Sequence, residues 1–312
     1  MLPLAYRSSL PELDPAEAAI ARSVFYAALF DYPLTLAQLR QTLVDIRLTP
    51  SEILSVVRGS APLAAHIESR NGYFFPVGAS ELVDVRRHRE RRSRTFLAAH
   101  RPLVRLIAAL PYVRMIGLSG SIAHLNLEHG GDLDLFIVTR GRHVWTTAVA
   151  VIVLARLLGR RRTLCANFIV ADSNLSFEPQ DFFTASQIVG MRPVTGHETF
   201  RAILDANPFV RRLFPNYAGP ARGPVVVHQG RVLRAVRRAV EAIGAPVAAV
   251  AEWCCRRAYG AYLRRRASTW QSPEQVELAP DRLKLHTRSH RREILDRFDE
   301  AVQDAFDAEG RA

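Results

Sequence analysis

The chain almost entirely lacks lysine. Lys284 is the single lysine among 42 basic residues, and with 30 acidic residues the formal net charge is +12. Such an excess suits polyanionic partners, either nucleic acid or nucleotide phosphates. Arginine in place of lysine, with abundant alanine, is equally the mark of a GC-rich genome, and net charge names no particular partner. Cysteine is scarce as well. Three cysteines, Cys165, Cys254 and Cys255, exclude a disulfide framework and lack zinc-ligand spacing. The adjacent pair reads as small buried hydrophobes rather than a redox couple. Long apolar runs are also missing. The most apolar stretch, Thr146 to Leu158, is shorter than the roughly 20 residues a bilayer requires and reads as a buried helix. A second, Ala245 to Cys255, is interrupted by Glu252. The opening MLPLAYRSSLPELD has no basic start followed by an apolar core, so no secretory signal is expected. These absences point to a cytoplasmic protein with no membrane partner.

What is present suffices for one large or two medium domains with true cores: 312 residues, 48% of them hydrophobic. Start signals mark a run of short helices. Asp14 precedes Pro15 and lies three before Glu17, a cap, first-turn proline and capping-box acid that open a helix to about Phe30. Thr35 caps a second helix, Leu36 to Val44, and Thr49-Pro50-Ser51-Glu52 opens a third, to Arg58. Asn71-Gly72 then signals a two-residue hairpin, because such turns need positive φ at both centres. Three helices and a hairpin over residues 14–80 predict a winged helix. Its third helix offers only Ser51, Glu52, Ser55 and Arg58 as polar groups, a poor face for reading bases, so protein contact and DNA binding both stay open. The basic run from Arg86 to Arg94 continues as a connecting helix over residues 81–110, either unbroken or divided at Pro102. It is either a solvated face or a rail for a phosphate backbone.

The most informative stretch is GLSGSIAHLNLEHGGDLDLFIV, Gly117 to Val138. Val113 to Leu118 is apolar enough for a buried strand. Ser119-Gly120-Ser121 forms a tight turn, Ile122 to Leu127 has helical character, and Asp132-Leu133-Asp134 enters a second apolar strand. That order sets the turn's backbone N–H groups and a helix start beside the second strand, an arrangement suited to phosphate. Residues two apart on a strand point to the same face, so Asp132 and Asp134 stand side by side. Paired carboxylates stay ionised only with a positive charge between them; otherwise one takes up a proton. A hard divalent ion such as Mg²⁺ or Mn²⁺ supplies that charge, with ligands from carboxylate, water and substrate phosphate. Phosphate cradle and metal pair together suit phosphoryl or nucleotidyl transfer.

This constellation resembles the DNA polymerase beta-like nucleotidyltransferase superfamily, whose signature is a glycine–serine turn followed, some ten residues on, by an aspartate–apolar–aspartate strand. The resemblance implies an α/β (α+β) nucleotidyltransferase fold with a mixed sheet over residues 111–216. It also implies that Ser119, Gly120 and Ser121 contact the phosphates of an NTP such as ATP, and that Asp132 and Asp134 hold the metal. A third carboxylate usually comes from a later strand. Here that strand, Thr163 to Val170, carries Asn167, which offers a carbonyl oxygen but no charge and no base. Asp172 or Glu178 converging on the pair would favour an enzyme. Asn167 alone at the pair would favour a nucleotide-binding regulator. Arg140 and Arg142, just past the aspartate strand, are candidates to reach the triphosphate, and Trp145 reads as core. The runs LCANFIV, DFFTASQIVGMRPV and NPFVRRLFPN resemble blocks in bacterial nucleotidyltransferase-domain proteins with a winged-helix-like N-terminus, over most of residues 15–300.

Beyond Asn216 the signals thin. Gly219 to Gly223 reads as a linker, and residues 217–312 as a helical region with arginine-rich helices over Val232 to Ala249 and Trp253 to Arg266. His286 and His290 fall four apart on a predicted helix but lack a third zinc ligand. The expected activity is transfer of a nucleoside monophosphate to a hydroxyl on protein, tRNA or a small molecule. An RNA-directed toxin of the same fold would need the Arg86–Arg94 helix beside the cleft.

Overall fold

The structure is a computed structural model that describes residues 10, 13–220, 227, 230–287 and 290–307. It opens with helix α1 (Pro15–Ala28). The Asp14 carboxylate caps α1, accepting from the backbone of Ala16 and Glu17, and the Glu17 side chain returns to the Asp14 N–H. Strand β1 (Leu34–Thr35) leads into α2 (Leu36–Thr42), capped by Thr35, and α3 (Pro50–Gly59) carries the same box through Thr49 and Glu52. Helix α4 (Ala61–His66) precedes the hairpin of β2 (Ile67–Arg70) and β3 (Tyr73–Pro76), turned at Asn71 and Gly72 with φ of 54° and 80°. The three strands pair in the order β1-β3-β2. Ile20, Val24, Leu39, Ile53 and Phe74 close this unit around its own core.

Helix α5 (Leu82–Ala109) runs unbroken through Pro102. The bond that Pro102 forfeits is offset by the burial of Leu97, Leu103, Val104 and Ile107 along one face. A six-stranded mixed sheet follows, in the order β7-β4-β5-β6-β9-β8. Its strands are β4 (Val113–Leu118), β5 (Leu133–Thr139), β6 (Leu164–Ala171), β7 (Arg192–Thr195), β8 (Val276–Leu278) and β9 (Arg282–Leu285). Strands β5 and β6 run parallel, joined by helix α7 (Val144–Leu157); the other neighbours are antiparallel.

Alternation along β5 divides the core. Leu133, Leu135 and Ile137 face a layer made by α5, α7 and the long helix α11 (Arg231–Arg265). Phe136 and Val138 face α8 (Phe182–Gly190), α9 (His197–Ala206) and α10 (Phe209–Leu213). The last helix, α12 (Arg291–Asp307), packs Phe298 and Val302 onto α1.

The arginine-rich region departs from the sequence expectation. The two predicted helices over Val232–Ala249 and Trp253–Arg266 are one, since α11 continues through Pro246 and Glu252. Glu252 does not break it because its carboxylate is turned inward. It accepts from the backbone N–H groups of Trp145 and Thr146, each at 2.8 Å, and so caps the start of α7. About three turns earlier on α11, Glu241 accepts from the Tyr112 N–H at 2.9 Å and pairs with Arg140 and Arg237. The expected buried cysteine pair is half right: Cys255 is partly buried against the core, whereas Cys254 is exposed. Of the predicted linker, residues 221–223 lie outside the described residues.

Removing the Glu252 carboxylate strands two N–H groups at a buried helix start. Glu252→Ala is expected to lower stability by about 3 kcal/mol, whereas Glu252→Gln, which keeps one acceptor, costs about half as much. Urea unfolding of the variants checks this; an unchanged stability in Glu252→Ala would show that the cap contributes nothing.

Candidate functional site

The turn after β4 is built around one glycine. Ser119 is extended and donates its N–H to the Asp134 carbonyl at 3.1 Å, which continues the β4–β5 pairing past Leu118. Gly120 follows at φ 61°. A side chain here would be strained, and its Cβ would also overlap the Asp134 carboxylate. Glycine therefore lets the turn lie directly on Asp134. The helix expected over Ile122 to Leu127 is shorter, α6 (Gly120–Ala123), because Leu125 adopts φ 55° and ends it.

Asp132 and Asp134 share a face as expected, with Leu133 between them buried on the other side. The sequence reading missed the group that completes the cluster. Cys165 is paired with Asp134 across β5 and β6, and ligand atoms of Asp132, Asp134 and Cys165 all lie within 4.8 Å of one another. After this pair the register slips, so that Phe136 faces Phe168. The extra residue in β6 forms a bulge that turns Asn167 onto the Cys165 side. The Cys165 thiol donates to the Asn167 amide oxygen at 2.8 Å, and the Asn167 amide nitrogen donates to Asp134 Oδ1 at 3.4 Å. This modifies the expectation that Asn167 is a metal ligand. Its oxygen is engaged by Cys165, and it meets Asp134 as a donor.

The electrostatics follow from burial. Asp134 is pushed up from 3.8 to about 7, first by desolvation and then by the Asp132 charge. Cys165 is pushed up to about 12 by burial and by both aspartates, so it remains a thiol. Two carboxylates at this separation require a proton or a cation. Asp132 and Asp134 are the oxygen donors that could hold a divalent ion here, beside the thiol of Cys165.

The other predicted site residues lie elsewhere. Arg140 and Arg142 follow the far end of β5, seven residues long, about 20 Å from its start. Arg140 is paired with Glu241 at 3.3 Å. Asp172 sits past the far end of β6, accepting from the Gly141 N–H at 2.8 Å and facing Arg114 at 3.8 Å. Glu178 meets Gln180 at 3.1 Å and takes no part in the acidic cluster. No further carboxylate among the described residues joins the Asp132–Asp134–Cys165 group. The Arg86–Arg94 run is partly structural. Arg86 is buried over the Tyr32 ring and bonds Gln38 at 2.9 Å, and Arg89 bridges Asp31 at 2.9 Å and Glu128 at 3.3 Å. His286 is not helical: it follows β9 and meets the Phe168 ring at 6.1 Å. Exposed His290 pairs with Glu293 at 2.9 Å.

Strand β9 adds two groups that the sequence reading did not place. Lys284 is paired with Phe168 and so shares its sheet face, and His286 lies beside it. Burial lowers both, His286 to about 4, so that the imidazole is neutral near pH 7. The signal in the sequence was the rarity of the residue, since Lys284 stands alone among arginines. Comparisons of the chain with known protein families, with curated proteins and with solved structures find no match.

Because Asp134 binds a proton more tightly folded than unfolded, stability falls as pH rises from its ordinary 3.8 through about 7. Asp134→Asn removes that contribution. Urea titrations at about pH 5 and about pH 8 are expected to show a smaller loss across the interval for the variant, which is the more stable form at the higher pH. Identical pH dependence would contradict the raised carboxyl.

Proposed function

We propose that the chain is a divalent-metal-dependent nucleotidyltransferase, with a polymerase beta-like catalytic domain, a winged-helix-like N-terminal unit and a helical C-terminal region. Asp132 and Asp134 hold Mg²⁺ or Mn²⁺, and the Ser119-Gly120-Ser121 turn receives the phosphates of an NTP. The observation that carries this reading is the glycine turn laid against Asp134, whose carboxylate stands beside that of Asp132. Such an ion neutralises phosphate charge and lowers the pKa of a bound hydroxyl. The chain's own residues divide the remaining work. Gly120 allows close approach of backbone and phosphate, Asn167 fixes the Asp134 carboxylate, and the neutral thiol of Cys165 adds no charge to the pair. In the transfer, an acceptor oxygen bonds to the α-phosphorus, the bond to the bridging oxygen breaks, and pyrophosphate leaves. Among the described residues no third carboxylate stands ready for the acceptor proton, so it passes to water.

That same feature favours a second reading. With Asn167 at the third position and Asp172 and Glu178 directed elsewhere, the site suits a regulator that binds metal and nucleotide without turnover.

The test is incubation with each NTP labelled at the α-phosphate, with Mg²⁺ or Mn²⁺, with and without cell lysate. Wild type is compared with Asp132→Ala/Asp134→Ala and with Asn167→Asp. Transfer is expected from wild type and not from the double variant, and Asn167→Asp, which restores a carboxylate, is expected to be about 100-fold faster. Metal-dependent NTP binding without transfer by either wild type or Asn167→Asp establishes the regulator. Absence of NTP binding defeats both readings.

A further inference from the structure

Helix α11 presents solvent with a surface that its own fold does not use. From Ala239 to Cys254 every exposed side chain on it is apolar. Val240, Ile243, Val247 and Val250 follow one another at intervals of three and four, which places them on one side of the helix. Ile243 is 81% exposed and Trp253, at the end of the stripe, 55%. Scattered exposed hydrophobics are ordinary, but a continuous stripe over about 20 Å of helix marks a contact surface. Both acids in the stretch, Glu241 and Glu252, are turned inward to Tyr112 and to the start of α7. The exposed charges that α11 itself carries beside the stripe are therefore positive, among them Arg238 and Arg257. The neighbouring α7 repeats the composition. Leu157 is 77% exposed beside Arg156, and the helix has no acidic residue.

We infer that this face of α11 docks on an anionic lipid bilayer, lying in the plane of the headgroups. An apolar stripe bordered by arginine, with a tryptophan at its edge, is the composition of interfacial helices. Charge decides between this occupant and a second copy of the chain. Pairing two such faces brings arginine against arginine with no exposed acid on α11 to neutralise them, whereas anionic headgroups do so directly. Among the described residues no helix is long and apolar enough to cross a membrane, so the contact is peripheral. The proposal differs from the expectation of no membrane partner. Helices α11 and α7 pack against the Leu133, Leu135 and Ile137 face of β5. The inference is independent of nucleotidyl transfer.

The test uses the full chain and vesicles of phosphatidylcholine, alone or with about 30% phosphatidylglycerol. Flotation with anionic vesicles and a blue shift of tryptophan fluorescence that Trp253→Phe abolishes are expected, with binding about tenfold weaker on neutral vesicles and in high salt. Ile243→Asp/Val250→Asp alters exposed positions only, so an unchanged circular dichroism spectrum verifies its fold while its vesicle binding is expected to drop at least about tenfold. Failure to float on either vesicle, or equal flotation of the variant, overturns the inference. So does a concentration-dependent dimer, seen by sedimentation and abolished in the variant, in a protein that ignores vesicles. That result makes the face an interface between copies.

Discussion

Two carboxylates at the start of one strand impose the constraint around which the centre of this molecule is arranged. Asp132 and Asp134 stand together because a strand returns to the same face every second residue, and burial makes their mutual repulsion costly. The antiparallel β4–β5 pair brings Gly120 against Asp134, and no larger residue fits there. The β6 bulge turns Asn167 inward, so that Cys165 and Asp134 are joined through one amide. Each neighbour thus orients the pair without neutralising it. A bound proton or a cation supplies the missing charge.

The remainder of the fold holds this arrangement from outside. The N-terminal unit grips the segment between the turn and the aspartate strand: the Tyr32 hydroxyl donates to the His124 carbonyl at 3.0 Å, and the Asn126 amide donates to the Phe30 carbonyl at 2.7 Å. His124 is buried there and held neutral, its pKa near 3, by desolvation and by Arg192 and Arg86. From the opposite side of the sheet, Glu241 and Glu252 fasten α11 to the end of β5 and the start of α7. Using both acids inward is what leaves the outer face of α11 apolar and basic. Internal fastening and external chemistry are here two consequences of the same residues.

Much of this was legible in the sequence where the signal is local. Caps at Asp14, Thr35 and Thr49, the Asn71-Gly72 turn and the Asp132–Asp134 alternation each depend on residues a few positions apart, and each falls where expected. What depends on partners distant in sequence was not legible. Glu252 looks like an interruption of an apolar run until α7 is placed against it. The contacts of Asn167 with Cys165 and Asp134 depend on a bulge in β6 that no local spacing announces. Arg140 and Arg142 follow the aspartates in sequence, but a strand of this length carries them to its opposite end. Lys284 and His286 reach the aspartate face of the sheet only because β9 pairs with β6, a contact that no motif encodes.

The most direct test of the account is the proton count on metal binding. Calorimetric titration with Mn²⁺ in buffers of different ionisation heat reports how many protons leave as the ion binds. With Asp134 near 7, release of about 0.9 proton is expected at pH 6, falling toward zero by about pH 8.5, and Asp134→Asn abolishes it. Binding without proton release at pH 6, or no binding at the wild-type pair, contradicts the claim that Asp134 exchanges its proton for a cation.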